Sequence, residues 1–165
     1  MIDLETLGNK PGSVIVSLGA VKFGDNAIED TFYCRVDAAS CVALGLKMDA
    51  QTVLWWMKQD DAARLEIAKP GEALVEVLER FSQWLGDPEA EVWGNGASFD
   101  NVLLTCAYEA AKLRVPWKYT NDRCYRTLRN LRPEVKMQRS GELHNALEDA
   151  RSQALHLIEI LRTLS

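Results

Sequence analysis

The feature that most restricts the fold is a pair of strand-like runs, VIVSLGAVKF (14–23) and AIEDTFYCRV (27–36), separated by the turn GDN. Both are rich in β-branched and aromatic residues, so they read as an antiparallel ribbon. A third short run, MIDLE, precedes them, followed by TLGNKPGS, a loop dense in turn formers. Helical spacing then takes over. DAQTVLWWMKQ has Asp49 as a cap, and PGEALVEVLERFSQWLG carries Leu74, Leu78, Phe81 and Leu85 on one stripe with Gly86 as a stop. EVWGN reads as a short buried strand, and Ser98 is expected to cap a helix from Phe99 to about Lys112. PWKYTN is irregular, CYRTLRNL a short helix, and the last helix starts near Asn145. Three strands, helices, a strand and further helices make an α/β domain with three antiparallel strands plus parallel crossover strands, flanked by helices. That order is compatible with an RNase H-like mixed sheet. With no repeat or dividing linker, residues 1–165 are expected to form one domain.

Acids stand where this plan does not need them. Asp3 and Glu5 occupy i and i+2 of the first strand, so both project from one face. Two carboxylates that close resist ionising together unless a cation lies between them; a D-x-E pair alone is also what an exposed polar strand edge shows. Asp100 falls in the first turn of a helix, after a strand and the Gly94-Asn95-Gly96 run. The helix N-terminus alone accounts for an acid there, but not for glycines that let the backbone approach a ligand. Asp149 is one turn into the last helix, with His144 five residues earlier, where the helix dipole favours a neutral imidazole. Four carboxylates and one neutral histidine from three segments suit two Mg²⁺ or Mn²⁺ ions, which prefer oxygen ligands. Such a pair clamps the attacking and leaving oxygens of a displacement at phosphorus, and the histidine would deprotonate the attacking water.

The series D-x-E, N-G-A-S-F-D and H-x-x-x-x-D resembles the DEDDh 3′–5′ exonucleases. The wider wording, DLETLGN, TVLWWMKQ, VWGNGASFDNVLL, NDRCYRTL and LHNALEDARSQALHL, is similar to the RNase AS-like branch found in bacteria and phages, which includes proteins of "exonuclease VIII" type. The resemblance spans nearly the whole chain. It implies Asp3, Glu5 and Asp149 as ligands of one metal, Asp3 and Asp100 as ligands of the second, and His144 as general base. It implies release of nucleoside 5′-monophosphates from the 3′ end of single-stranded RNA, with DNA possible, by a homodimer. The chain departs from the wider superfamily in the Gly96 inserted between Asn95 and Asp100. Its first strand also begins fewer residues before the first acid, so that strand is either short or continues upstream of Met1.

For the substrate, Leu7, Trp55, Trp56 and Phe99 offer flat surfaces for terminal bases. Of the two tryptophans, one is expected to face inward and the other outward. Asn95 and Arg126 complete the candidate contacts, the latter in a row with Arg123 and Arg129; Lys118 and Arg151 are further candidates, and His156 is expected to be structural. The net charge of −5 hides an asymmetry: residues 112–151 hold ten basic residues against five acidic, and the remainder nine against nineteen. A basic side suits phosphate, as it also suits a solvated helix face. The four cysteines lack metal-finger spacing and read as reduced thiols. With no apolar run of about 20 residues and no export signal, the chain is expected to be cytoplasmic and to have no membrane partner. A proofreading exonuclease, a non-catalytic nucleic-acid-binding module and a nucleotide phosphatase are the other readings. The module would gain nothing from clustered acids near phosphate.

Overall fold

The alternation in the first strand is realised as two faces. In a computed structural model describing residues 1–139 and 145–164, β1 (Ile2–Thr6) buries Ile2, Leu4 and Thr6 and leaves Asp3 and Glu5 half-buried on the other side. The central strand β2 (Ile15–Phe23) pairs antiparallel with β1 and with β3 (Ile28–Arg35), setting Asp3 opposite Gly19 and Glu5 opposite Ser17. Helices α1 (Ala38–Ala43), α2 (Ala50–Trp56), α3 (Asp61–Ala68) and α4 (Leu74–Leu85) follow. The strand β4 (Val92–Gly94) then leads into α5 (Asp100–Ala110). A single 3₁₀ turn (Tyr119–Asn121) precedes β5 (Asp122–Cys124), α6 (Tyr125–Leu131) and α7 (Ala146–Arg162). The strands β4 and β5 run parallel. This is a mixed α/β architecture consistent with an RNase H-like fold, with the strands in two hydrogen-bonded groups of three and two. Among the described residues, no helix is long and apolar enough to cross a membrane.

Several local expectations shift for visible reasons. The helix expected from Pro70 begins at Leu74, because residue 72 is drawn into extended pairing with Val36: Glu72 N–H donates to Arg35 O and Glu72 O accepts from Asp37 N–H. Once started, α4 turns Leu74, Val77, Leu78 and Phe81 into the main core, which also holds Leu18 and Phe32. The next helix is flanked by Phe99, and Ser98 provides no cap. Asp49 does cap α2, accepting from Thr52 N–H, and α7 starts after Asn145 as expected, with the Asn145 side chain accepting from Leu147 and Glu148 N–H. The strand β5, inside a stretch read as irregular and then helical, is short and polar, with a sequence (DRC) that carries no strand period. The cysteines are free thiols, with Cys34 and Cys41 buried.

The acidic face of β1 is covered by α7, whose approach depends on one residue. A side chain on Gly19 would meet the backbone of Ala146 and Leu147 at 2.2–2.4 Å, far inside contact distance. The missing Cβ lets the first turn of α7 rest directly on β2, beside Asp3. Beneath α7, a second core of Met1, Val21, Tyr125, Ala150, Ala154, Leu157 and Ile160 fixes the helix along its length. His156 belongs to this layer. Its Nε2–H donates to Val135 O at 2.9 Å, which leaves Nδ1 to accept from the Tyr125 hydroxyl at 2.6 Å. Both ring nitrogens are thereby used within the core.

Gly19→Ala is expected to destabilise the protein by about 2 kcal/mol or more, the range of overpacked cores. The obstacle is backbone and cannot rotate away. Chemical denaturation of the two proteins checks this, and equal midpoints would show that α7 does not rest on this contact.

Candidate active site

Three carboxylates meet where β1 passes under the start of α7. Ligand oxygens of Asp3, Glu5 and Asp149 all lie within 4.8 Å of one another. Strand alternation aims the first two at one face, and the close seat of α7 at Gly19 brings the third onto it. Asp149 also faces a cation, Arg139, at 3.6 Å.

Asp100 stands beside this trio and is 2% exposed. Its carboxylate accepts from Asn95 N–H at 2.9 Å and has the Leu4 N–H of β1 close enough to favour its charge, so one side chain sits between β1 and the loop after β4. The adjacent Asn101 uses its amide nitrogen to reach Val92 O at 2.9 Å and Asp122 Oδ1 at 2.7 Å, and Asp122 Oδ1 also accepts from the Trp117 indole at 2.9 Å. The inserted Gly96 has a local reason. Its φ of +103° suits glycine, and a Cβ there would lie 3.2 Å from the Arg126 guanidinium carbon. The bare backbone lets Arg126 fold over the loop and donate to Asn95 O at 2.6 Å, which places a cation near Asp100.

Burial and crowding make these acids hard to ionise. Desolvation, and then the charges of Asp100, Glu5 and Asp149, hold Asp3 well above the carboxylate range. Glu5 is pushed up to about 8, by burial first and then by Asp149 and Asp100. Burial raises Asp100 to about 7, although the Asn95 and Leu4 N–H groups and Arg126 oppose it. Hard carboxylate oxygens that repel one another at this range are the donor set for Mg²⁺ or Mn²⁺. Asp3, Glu5, Asp149 and Asp100 therefore fit such ions. His144 lies outside the described residues.

The remaining candidates divide. Trp56 is 3% exposed and its indole N–H donates to Thr6 O at 2.9 Å, whereas Trp55 is 45% exposed. One ring faces in and one out; the outward one is Trp55, so the base-contacting ring expected at Trp56 is instead part of the wall behind β1. Leu7 and Phe99 are half-buried against the main core. Asn95 keeps its side-chain oxygen buried and without a hydrogen-bond partner. The three arginines do not form one row. Arg123 pairs with Glu91 at 2.7 Å, Arg126 covers Gly96, and Arg129 lies over the Tyr125 ring. Lys118 pairs with Glu89. Sequence reading passed over Gln153, one turn beyond Asp149, whose amide nitrogen donates to Asp3 Oδ1 at 2.8 Å. The i, i+4 spacing from Asp149 was its only signal.

Residues 1–161 match the family model described as the 3'-5' exoribonuclease Rv2179c-like domain. The chain belongs to that family. No curated protein matches it.

The raised carboxyls fix the sign of a pH effect. An unfolded chain releases these protons near pH 4, whereas the folded chain keeps them until about pH 7 for Asp100 and about pH 8 for Glu5. Between those limits the folded state binds more protons, so stability falls as pH rises. Without divalent cations, the thermal midpoint is expected to drop between about pH 4 and about pH 8, after correction with Asp100→Asn and Glu5→Gln variants. A midpoint in which these variants make no difference to the slope would contradict the assignment.

Proposed function

We propose that this member of the exoribonuclease family is a metal-dependent 3′–5′ exonuclease of the DEDDh type, with residues 1–165 as one catalytic domain. Its substrate is the 3′ end of single-stranded nucleic acid, RNA in preference to DNA, and its products are nucleoside 5′-monophosphates. The observation that carries this reading is the meeting of Asp3, Glu5 and Asp149 oxygens within 4.8 Å, with Asp100 buried alongside. The RNase AS-like wording of the chain, shared with phage proteins, supports that branch and a homodimeric state.

Asp3, Glu5 and Asp149 would hold one divalent cation, and Asp3 with Asp100 a second. Ions held there supply positive charge to the phosphodiester and make water a better nucleophile at neutral pH. The protein's own groups do the rest. His144 takes a proton from the attacking water, which needs a neutral imidazole. The loop of Asn95 and Gly96 brings backbone close to the terminal nucleotide, and Arg126, folded over that loop, offers its guanidinium to a phosphate oxygen. Trp55 supplies a ring for base stacking, with Leu7 and Phe99 as further apolar surfaces for the terminal bases.

Oligonucleotides labelled at the 5′ end, incubated with Mg²⁺ or Mn²⁺, are expected to shorten stepwise, RNA faster than DNA. Asp3→Ala should abolish this, and His144→Ala should slow it by about 100-fold or more, the contribution of a general base. Undiminished cleavage by Asp3→Ala would remove the metal assignment, and binding without cleavage would favour a non-catalytic module.

The tryptophan pair gives a second test. Trp55→Ala is expected to weaken single-strand binding by about 1–3 kcal/mol, the value of one stacked base, with little change in stability. Trp56→Ala should instead destabilise the fold by about 3–5 kcal/mol, as for a buried aromatic. Fluorescence anisotropy with a labelled strand and chemical denaturation separate the two. The opposite pattern would return base contact to Trp56.

A further inference from the structure

Gln153 is 4% exposed and lies on α7 four residues after Asp149, on the same helix face. Its Nε2 donates to Asp3 Oδ1 at 2.8 Å, while its Oε1 is buried without a hydrogen-bond partner. A buried acceptor left unmatched is a cost to folding. The neighbours of Gln153 along α7 include Ala150, Ala154 and Leu157 of the apolar layer, beside which an aliphatic side chain would carry no such cost. A residue kept for packing alone would therefore not be glutamine. The donated hydrogen bond falls on the carboxylate that sits among Glu5, Asp100 and Asp149, the group whose orientation matters most to any ion bound there.

We propose that Gln153 is a positioning residue for divalent-cation binding, holding the Asp3 carboxylate correctly turned at the expense of an unmatched buried oxygen. It does not touch substrate and acts through Asp3. This deepens the reading of the site as a metal centre and rests on that reading.

The test uses the full chain, Mn²⁺ alone as the probe, and the variants Gln153→Leu and Gln153→Met, which keep the volume and remove the donor. Free Mn²⁺ is read by electron paramagnetic resonance during titration, with Asp3→Ala as a control, and the thermal midpoint is measured in chelator. Both variants are expected to bind Mn²⁺ about tenfold or more weakly, the usual loss when a ligand's hydrogen-bonding partner is removed. Their midpoints in chelator should stay close to that of the wild type, because loss of the unmatched Oε1 offsets loss of the donor to Asp3 Oδ1. Wild-type affinity in both variants, with Asp3→Ala impaired, would overturn the role of Gln153 and leave the metal centre standing. Lower midpoints in chelator for both variants would also overturn it, making Gln153 a structural residue. No Mn²⁺ binding by the wild type would bring down both the centre and the role of Gln153.

Discussion

Like charges held close together in a half-buried place are the constraint around which this molecule is arranged. Asp3 and Glu5 share the face of β1 because strand geometry leaves them no other. That face is roofed by α7, which brings Asp149 to the same spot. Such a group is unfavourable without a counter-charge, and the raised proton affinities of Asp3, Glu5 and Asp100 measure how unfavourable. The scaffold that holds it is correspondingly firm. A nine-residue central strand is buried over most of its length, and a separate apolar layer lies under α7.

Much of this was legible in the sequence where one element determines the outcome alone. The D-x-E alternation, the Asp49 cap, the start of the last helix near Asn145 and the apolar stripe of α4 each follow from a local signal, and each is present. Legibility fails where two distant segments decide together. Pro70 to Ala73 looks like a helix start, but pairing with Val36 keeps it extended. The neighbours Trp55 and Trp56 have similar chemistry, and it is Trp56 that is buried with its indole N–H on the distant Thr6 O. The arginines at 123, 126 and 129 have a helical rhythm, yet Arg123 precedes α6 and answers to Glu91. Gln153 has no motif at all. Its meaning appears only when residues 150 positions apart touch.

The two glycines that matter were also only partly readable. Gly96 could be seen as an insertion that lets the backbone approach something, and part of what approaches is the protein's own Arg126. Gly19 sits in the middle of a strand, where glycine weakens the ladder and suggests close approach of another backbone. Which backbone comes close is a property of the tertiary structure, namely the first turn of α7.

Asp100 shows how the site and the fold are coupled. The strands β1 and β4 belong to separate hydrogen-bonded groups, and the Asp100 carboxylate lies between them, accepting from Asn95 N–H on one side with the Leu4 N–H close on the other. The same oxygens are candidates for a cation, so this side chain is both a seam in the sheet and an edge of the site. The coupling has a mechanical consequence. Movement of β4 relative to β1 would have to turn the Asp100 carboxylate, and the acids on β1 lie within reach of its charge. Placing an acid at the seam thus fixes the distance between the D-x-E strand and the loop of Asn95 and Gly96, and a site assembled from three distant segments keeps one geometry without a continuous sheet to enforce it.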